Sequence, residues 1–196
     1  MTTSIQEALA LLERKDWDGL NPETHAIVQC VDPEEASRWR IINDDVMGGV
    51  SRSSFQIIPG TSAVFSGVLS LENNGGFCSA RRLPGAYDLG SWDGIQLRAI
   101  GDGRRYHFRV RTDDAYDGVA YKVEFDTVPG KERTLRLPWD RFEPTFRGRP
   151  VPDAPKLQPQ QIRQLGLLIA DRRSGGFRIE VLAIAAYRER PLRQVK

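Results

Sequence analysis

The feature that most restricts this chain is a two-residue alternation of apolar and polar side chains, repeated from Val28 almost to the end. Segment 105–111 shows it plainly: Tyr106, Phe108 and Val110 fall on one side, and Arg105, His107, Arg109 and Arg111 on the other. Successive side chains of a strand point to opposite faces, so this pattern suits a half-buried β-strand rather than a helix. Segments 54–58, 63–71, 77–82, 94–100, 119–125, 134–137, 165–170 and 177–185 also read as strands. Turn signals separate them, among them Pro59-Gly60, Asn73-Asn74-Gly75-Gly76, Gly101-Asp102-Gly103, Asp117-Gly118 and Pro129-Gly130. Many short strands punctuated in this way predict an all-β, antiparallel sandwich or barrel.

The first residues differ. Ser4-Ile5-Gln6-Glu7 is a capping box, and Ile5, Ala8, Leu9 and Leu12 follow at helical spacing. This predicts one short amphipathic helix ending near Lys15, and a division into helix and linker (1–27), sandwich (28–190) and tail (191–196). The span 147–159 holds Pro150, Pro152, Pro155 and Pro159 and reads as a long irregular connection that could cross between sheets, with a helical turn at 160–164. A chain of 196 residues with 28 basic and 26 acidic side chains is too balanced for bulk electrostatics to imply nucleic-acid binding. The N-terminus lacks the pattern of a signal peptide, and no apolar run is long enough to span a bilayer. The expectation is a cytoplasmic protein with Cys30 and Cys78 as reduced thiols.

The polar side of the strands carries the chemistry. If the strands are neighbours, Arg81, Gln96, Arg98, His107, Arg109, Arg111, Lys122 and Glu124 share one arginine-rich face. A guanidinium donates paired hydrogen bonds and suits planar or anionic groups, so this face is a candidate binding floor. A solvated outer face of cross-strand ion pairs is the plainer alternative.

Catalytic patterns are thin. The sequence has no P-loop, no nucleophile elbow and no zinc-ligand spacing, and His107 sits among arginines that disfavour its charged form. No catalytic residue, metal or cofactor is assigned. Asp113, Asp114 and Asp117 suit side chain-to-backbone bonds within a turn. The stretch Asn43-Asp44-Asp45-Val46-Met47-Gly48-Gly49 resembles an acidic site at first sight. Adjacent strand residues point apart, so the better reading is a tight turn. Asn43 and Asp44 bond backbone amides there, Val46 and Met47 plug the core, and the glycines supply the bend. Asn43 and Asp44 stay candidate binding residues.

Trp39 followed by Asn43-Asp44-x-Val46-Met47-Gly48-Gly49-x-Ser51 resembles the opening motif of the complex I intermediate-associated protein 30 family. Phe65-Ser66-Gly67, Gly75-Gly76-Phe77-x-Ser79-x-Arg81, Asp93-Gly94, Arg98, Gly101-Asp102-Gly103-Arg104-x-Tyr106 and Pro138-Trp139-x-x-Phe142-x-Pro144-x-Phe146-Arg147-Gly148 continue the likeness in order. The resemblance implies a galactose-binding-domain-like β-sandwich of jelly-roll type. It also implies a non-enzymatic assembly factor or chaperone whose partners are protein subunits of a respiratory or other membrane redox complex. A carbohydrate-binding module, with Trp39, Trp92, Trp139 and Tyr116 as sugar-facing candidates, is one alternative. An RNA-binding or photosystem assembly factor is another.

Overall fold

The computed structural model describes residues 23–28, 30, 32 and 34–189. The helix expected over 4–15 and the tail lie outside the described residues. The strands are β1 (Glu23–Val28), β2 (Trp39–Asn43), β3 (Arg52–Ile58), β4 (Ser62–Leu69), β5 (Cys78–Arg82), β6 (Gly94–Ile100) and β7 (Arg105–Arg111). They continue with β8 (Ala120–Asp126), β9 (Glu132–Pro138), β10 (Glu143–Phe146), β11 (Arg149–Pro150), β12 (Gln164–Ile169) and β13 (Gly175–Arg188). They form a two-sheet antiparallel sandwich. One sheet runs β3-β4-β13-β6-β9, with β1 also paired to β13; the other runs β11-β10-β8-β7-β12-β5-β2. The helical pieces among the described residues are short 3-10 turns.

The alternation does what the sequence demands of it. Tyr106, Phe108 and Val110 of β7 enter the core, where Leu97 of β6, Leu167 of β12 and Phe65 of β4 meet them from both sheets. Phe65 and Phe177 meet edge to face at 5.0 Å, a preferred geometry for aromatic pairs. Strand β12 is buried at every residue because one face meets this core and the other is walled by its neighbours' long polar side chains. Strand β13 is long enough to pair β4 with its first half and β1 with its second, bulging between Val181 and Ala183 as it follows β6.

Three expectations change. Strand β1 extends the sandwich ahead of residue 28. The proline-rich connection leaves edge strand β11 and returns to β12 in the centre of the same sheet, so it does not cross between sheets. The turn expected at 160–164 is a 3-10 turn at Pro159–Gln161, and Gln164 already belongs to β12.

Buried charged side chains fasten the loops at the sheet ends. Glu35 accepts from Arg82 Nε (2.7 Å) and Nη2 (2.8 Å) and from the Trp39 indole (2.8 Å). Arg104 is fixed bidentately by Asp171 and donates to the carbonyls of Arg173, Gly175 and Gly176. Arg82 and Arg104 therefore each have a carboxylate and a further acceptor, the condition under which a buried charge is tolerated.

Candidate functional site

The Asp44 carboxylate is 0% exposed. Its Oδ1 accepts the Ser51 amide at 2.9 Å, and its Oδ2 accepts the Ser51 hydroxyl (2.5 Å) and the amides of Gly76 (2.6 Å) and Phe77 (3.3 Å). Burial pushes the carboxyl up, but the four hydrogen bonds outweigh it and hold Asp44 below the usual carboxylate range. Gly49 and Gly75 are glycines because a Cβ at either would overlap the Asp44 carboxylate. The reading of Asp44 as a pin on backbone amides is thus borne out. Asn43 differs: its side-chain oxygen accepts the Ser53 hydroxyl at 2.7 Å, not an amide.

The pin has a consequence for its neighbours. Asp44–Met47 is a single 3-10 turn closed by left-handed Gly48 (φ 87°). Because the polar Asp44 takes the inward position, Val46 and Met47 point out and are 60% and 61% exposed. The expectation that they plug the core is overturned.

They border a groove of about 1040 Å³ along the outer face of the seven-stranded sheet. Strand register lays out its floor. One row across the sheet reads Lys122, Arg109, Gly166, Arg81, Arg40; the next reads Glu124, His107, Leu168, Ser79, Ile42. Gly166 leaves bare backbone between two arginines on strands β7 and β5, which are about 10 Å apart at the usual strand spacing. A Cβ there would overlap the Ala80 carbonyl oxygen. A glycine inside an apolar strand signals such close approach, and it was the one clue to this gap in the sequence.

The arginines are unequally supplied with partners. Arg81 donates to the Tyr116 carbonyl at 2.7 Å, and Arg111 to the Gly118 carbonyl at 2.9 Å. Arg109 has no acceptor and no carboxylate at ion-pair distance among the described residues. Burial, together with the like charges of Arg111 and Arg81, pulls Arg109 down to about 10. The acids nearby are engaged elsewhere: Asp117 takes Arg147 at 2.7 Å, Asp114 takes Arg163 at 2.8 Å, and Asp113 caps the Ala115 amide. Arg109 is therefore a largely buried cation lining the groove with no carboxylate at ion-pair distance among the described residues, a configuration suited to an anionic ligand group.

Six of the expected face residues gather here: Arg81, His107, Arg109, Arg111, Lys122 and Glu124. Gln96 and Arg98 do not. They lie on β6, which belongs to the other sheet, and Arg98 pairs with Glu132 at 2.6 Å. The chain changes sheets between β6 and β7, which strand alternation does not reveal. His107 faces Glu124 directly across β8 at 3.5 Å, an acidic neighbour not evident in the sequence. Burial first, then Lys122, Arg109 and Arg105, lower His107 to about 4 against the pull of Glu124.

The aromatic candidates for a sugar platform are mostly committed to packing. Trp39 stacks on Phe55 at 4.1 Å, Trp92 stacks on His25 at 5.7 Å, and the Trp139 indole donates to the Trp92 carbonyl at 2.6 Å. Tyr116 is 61% exposed at the groove, with the Arg81 guanidinium 4.9 Å above its ring.

Comparison with known proteins follows the same division between scaffold and face. In fold, the chain is similar to a family 11 carbohydrate-binding module from Clostridium thermocellum solved in complex with a β-1,3-1,4-mixed-linked tetrasaccharide. The TM-score is 0.66, with 16% identity over 85% of this chain and 96% of the module. That likeness is one of fold, a jelly-roll β-sandwich. In sequence, the uncharacterized protein C9E9.15 of Schizosaccharomyces pombe is 31% identical over 168 residues, 76% of this chain and 77% of its own. Relatives named Complex I intermediate-associated protein 30, mitochondrial, from Neurospora crassa and Mus musculus are 26% and 24% identical over 67% and 84% of this chain. The chain spans about half the length of those two, 53% and 56%. The profile described as Complex I intermediate-associated protein 30 matches residues 28–181, and the chain belongs to that family.

Proposed function

We propose that this chain is a non-enzymatic binding module that works as an assembly factor for a membrane redox complex of the respiratory complex I type. It holds a subunit of that complex on the groove face of the seven-stranded sheet. The observation that carries this reading is Arg109: a partly buried guanidinium between Arg81 and Arg111, with no acceptor among the described residues. Keeping three like charges close together, with Asp117 near them but engaged by Arg147, costs stability, and a bound anionic partner offsets that cost. The names of the Neurospora and mouse relatives support the assembly role, and the mitochondrial setting in those names belongs to those proteins. Among the described residues no helix is long and apolar enough to cross a membrane.

The test is a tagged chain expressed in its own host, with quantitative mass spectrometry of what co-purifies from solubilised membranes. Replacing Arg81 and Arg109 by Glu should remove redox-complex subunits from the eluate. Arg98→Gln, on the opposite sheet, should leave them in place. Equal recovery of those subunits from all three proteins would refute the proposal.

A further inference from the structure

We infer that the groove takes an extended acidic peptide segment of the partner, seating a carboxylate on Arg109 and an apolar side chain against Val46, Met47 and Leu71. The inference rests on the partner-binding reading above and concerns the chemistry of what is bound.

Two features of the groove, one apolar and one charged, meet this requirement together. At one end Val46, Met47 and Leu71 are exposed apolar residues lining the same groove as the arginines. Large apolar side chains grouped in the open on a soluble fold mark contact surfaces. Two of these three stand on a turn fastened by the four hydrogen bonds to Asp44, so the knuckle is ordered before any ligand arrives. Preorganisation of that kind lowers the entropic cost of binding. At the other end Arg109 has no acceptor among the described residues, and Gly166 beside it leaves room for a ligand to approach the floor.

Charge complementarity selects an acid. The spacing selects an extended chain. Strands β12 and β5 separate Arg109 on β7 from β2, which leads into the Val46–Met47 turn. Three strand spacings are about 14 Å, the length of roughly four residues of extended peptide. The groove volume of about 1040 Å³ exceeds what a small cofactor fills and suits a segment of several residues. A neutral saccharide fits less well, since Trp39, Trp92 and Trp139 are engaged in packing and Arg81 lies over the Tyr116 ring.

The test uses the full chain, panned against a phage-displayed library of random nine-residue peptides, with enriched peptides remeasured by fluorescence polarisation. Enriched peptides should share an apolar residue and an Asp or Glu about four or more positions apart. Arg109→Gln should weaken them tenfold or more, roughly the effect of losing one charge-assisted hydrogen bond. Met47→Ser should weaken them by about fivefold, as expected for one lost apolar contact. An Asp→Asn change in the peptide should abolish sensitivity to Arg109→Gln but keep sensitivity to Met47→Ser. Met47 is 61% exposed, so its variant folds, and urea titration of both variants checks this. No enrichment, enriched peptides without an acid, or affinity untouched by both variants would overturn the inference. So would a dimer of the chain broken by Met47→Ser, or tight binding of a mixed-linkage oligosaccharide sensitive to Arg109→Gln. Peptide binding as described, with co-purification unaffected by the arginine reversals, would sink the assembly reading and leave this one standing. Lost co-purification with no peptide binding would do the reverse.

Discussion

Asp44→Asn is the most informative single change, because it keeps the shape and removes only the charge and one acceptor. The carboxylate receives four donors, three on Oδ2 and one on Oδ1. In the best arrangement the amide oxygen keeps the three donors at the Oδ2 position. The amide nitrogen then faces the Ser51 N–H, donor against donor. Each retained bond drops from a charge-assisted to a neutral one, a loss of about 1 kcal/mol apiece, and the orphaned amide adds about 1–3 kcal/mol. The neutral side chain is easier to bury than the carboxylate, which returns part of this. The expected destabilisation is about 3–5 kcal/mol, or roughly 10 °C in Tm for a domain of this size. Local relaxation offers little relief, since Gly49 and Gly75 already press against the side chain.

The assay is urea unfolding followed by tryptophan fluorescence, wild type against Asp44→Asn, from pH 7 down to pH 2.5. Asp44 is held below its unfolded value of about 3.9. A carboxyl with a depressed folded value contributes stability that is complete above the unfolded value and is lost as pH falls through the folded one. The gap between the two proteins should therefore be constant from pH 7 to about 5 and close below about 4. A difference under 1 kcal/mol at pH 7, or one that persists unchanged at pH 2.5, would refute the hydrogen-bond account of the motif.

Gly166→Ala should destabilise the sandwich by about 1–3 kcal/mol, since the new methyl meets the Ala80 carbonyl and β12 cannot move without disturbing β5 and β7; urea titration reads this, and a neutral result would show the strands are free to separate. For His107, the ring in the folded protein titrates near 4 and in the unfolded chain near 6.5. The unfolded state thus holds the extra proton between those values, and stability falls as pH drops through that window and is flat above it. His107→Gln should remove that part of the slope, and a ring resonance titrating between 6 and 7 by NMR would contradict the burial argument.

The sequence carried the strand content because burial on one side imposes the two-residue period on β7 and β8. It carried the role of Asp44 because an acid followed by two glycines has few uses other than a turn. It did not carry the partnership of strands. Strand β12 lies between β7 and β5, each more than fifty residues before it in the chain, and nothing local to 94–100 marks β6 as belonging to the opposite sheet. Alternation alone therefore groups Gln96 and Arg98 with the wrong face, and Val46 and Met47 depart from expectation for another reason. Hydropathy places apolar residues inside, but here a charged side chain with four donors is the more stable occupant of the interior position, and the apolar pair is turned out.

That inversion ties stability to recognition in a way that can be separated. Asp44 is fully buried, yet it fixes the turn on which Val46 and Met47 stand, so loosening it should weaken peptide binding as well as folding. Met47→Ser should weaken binding alone, because an exposed side chain contributes little to the folded state. If Asp44 acts only through the knuckle, then in a background already carrying Met47→Ser the further change Asp44→Asn should cost stability in full and binding much less than it does alone. A cycle in which the two binding losses simply add would mean that the turn and the knuckle act independently, and that the buried carboxylate serves the fold without serving the face.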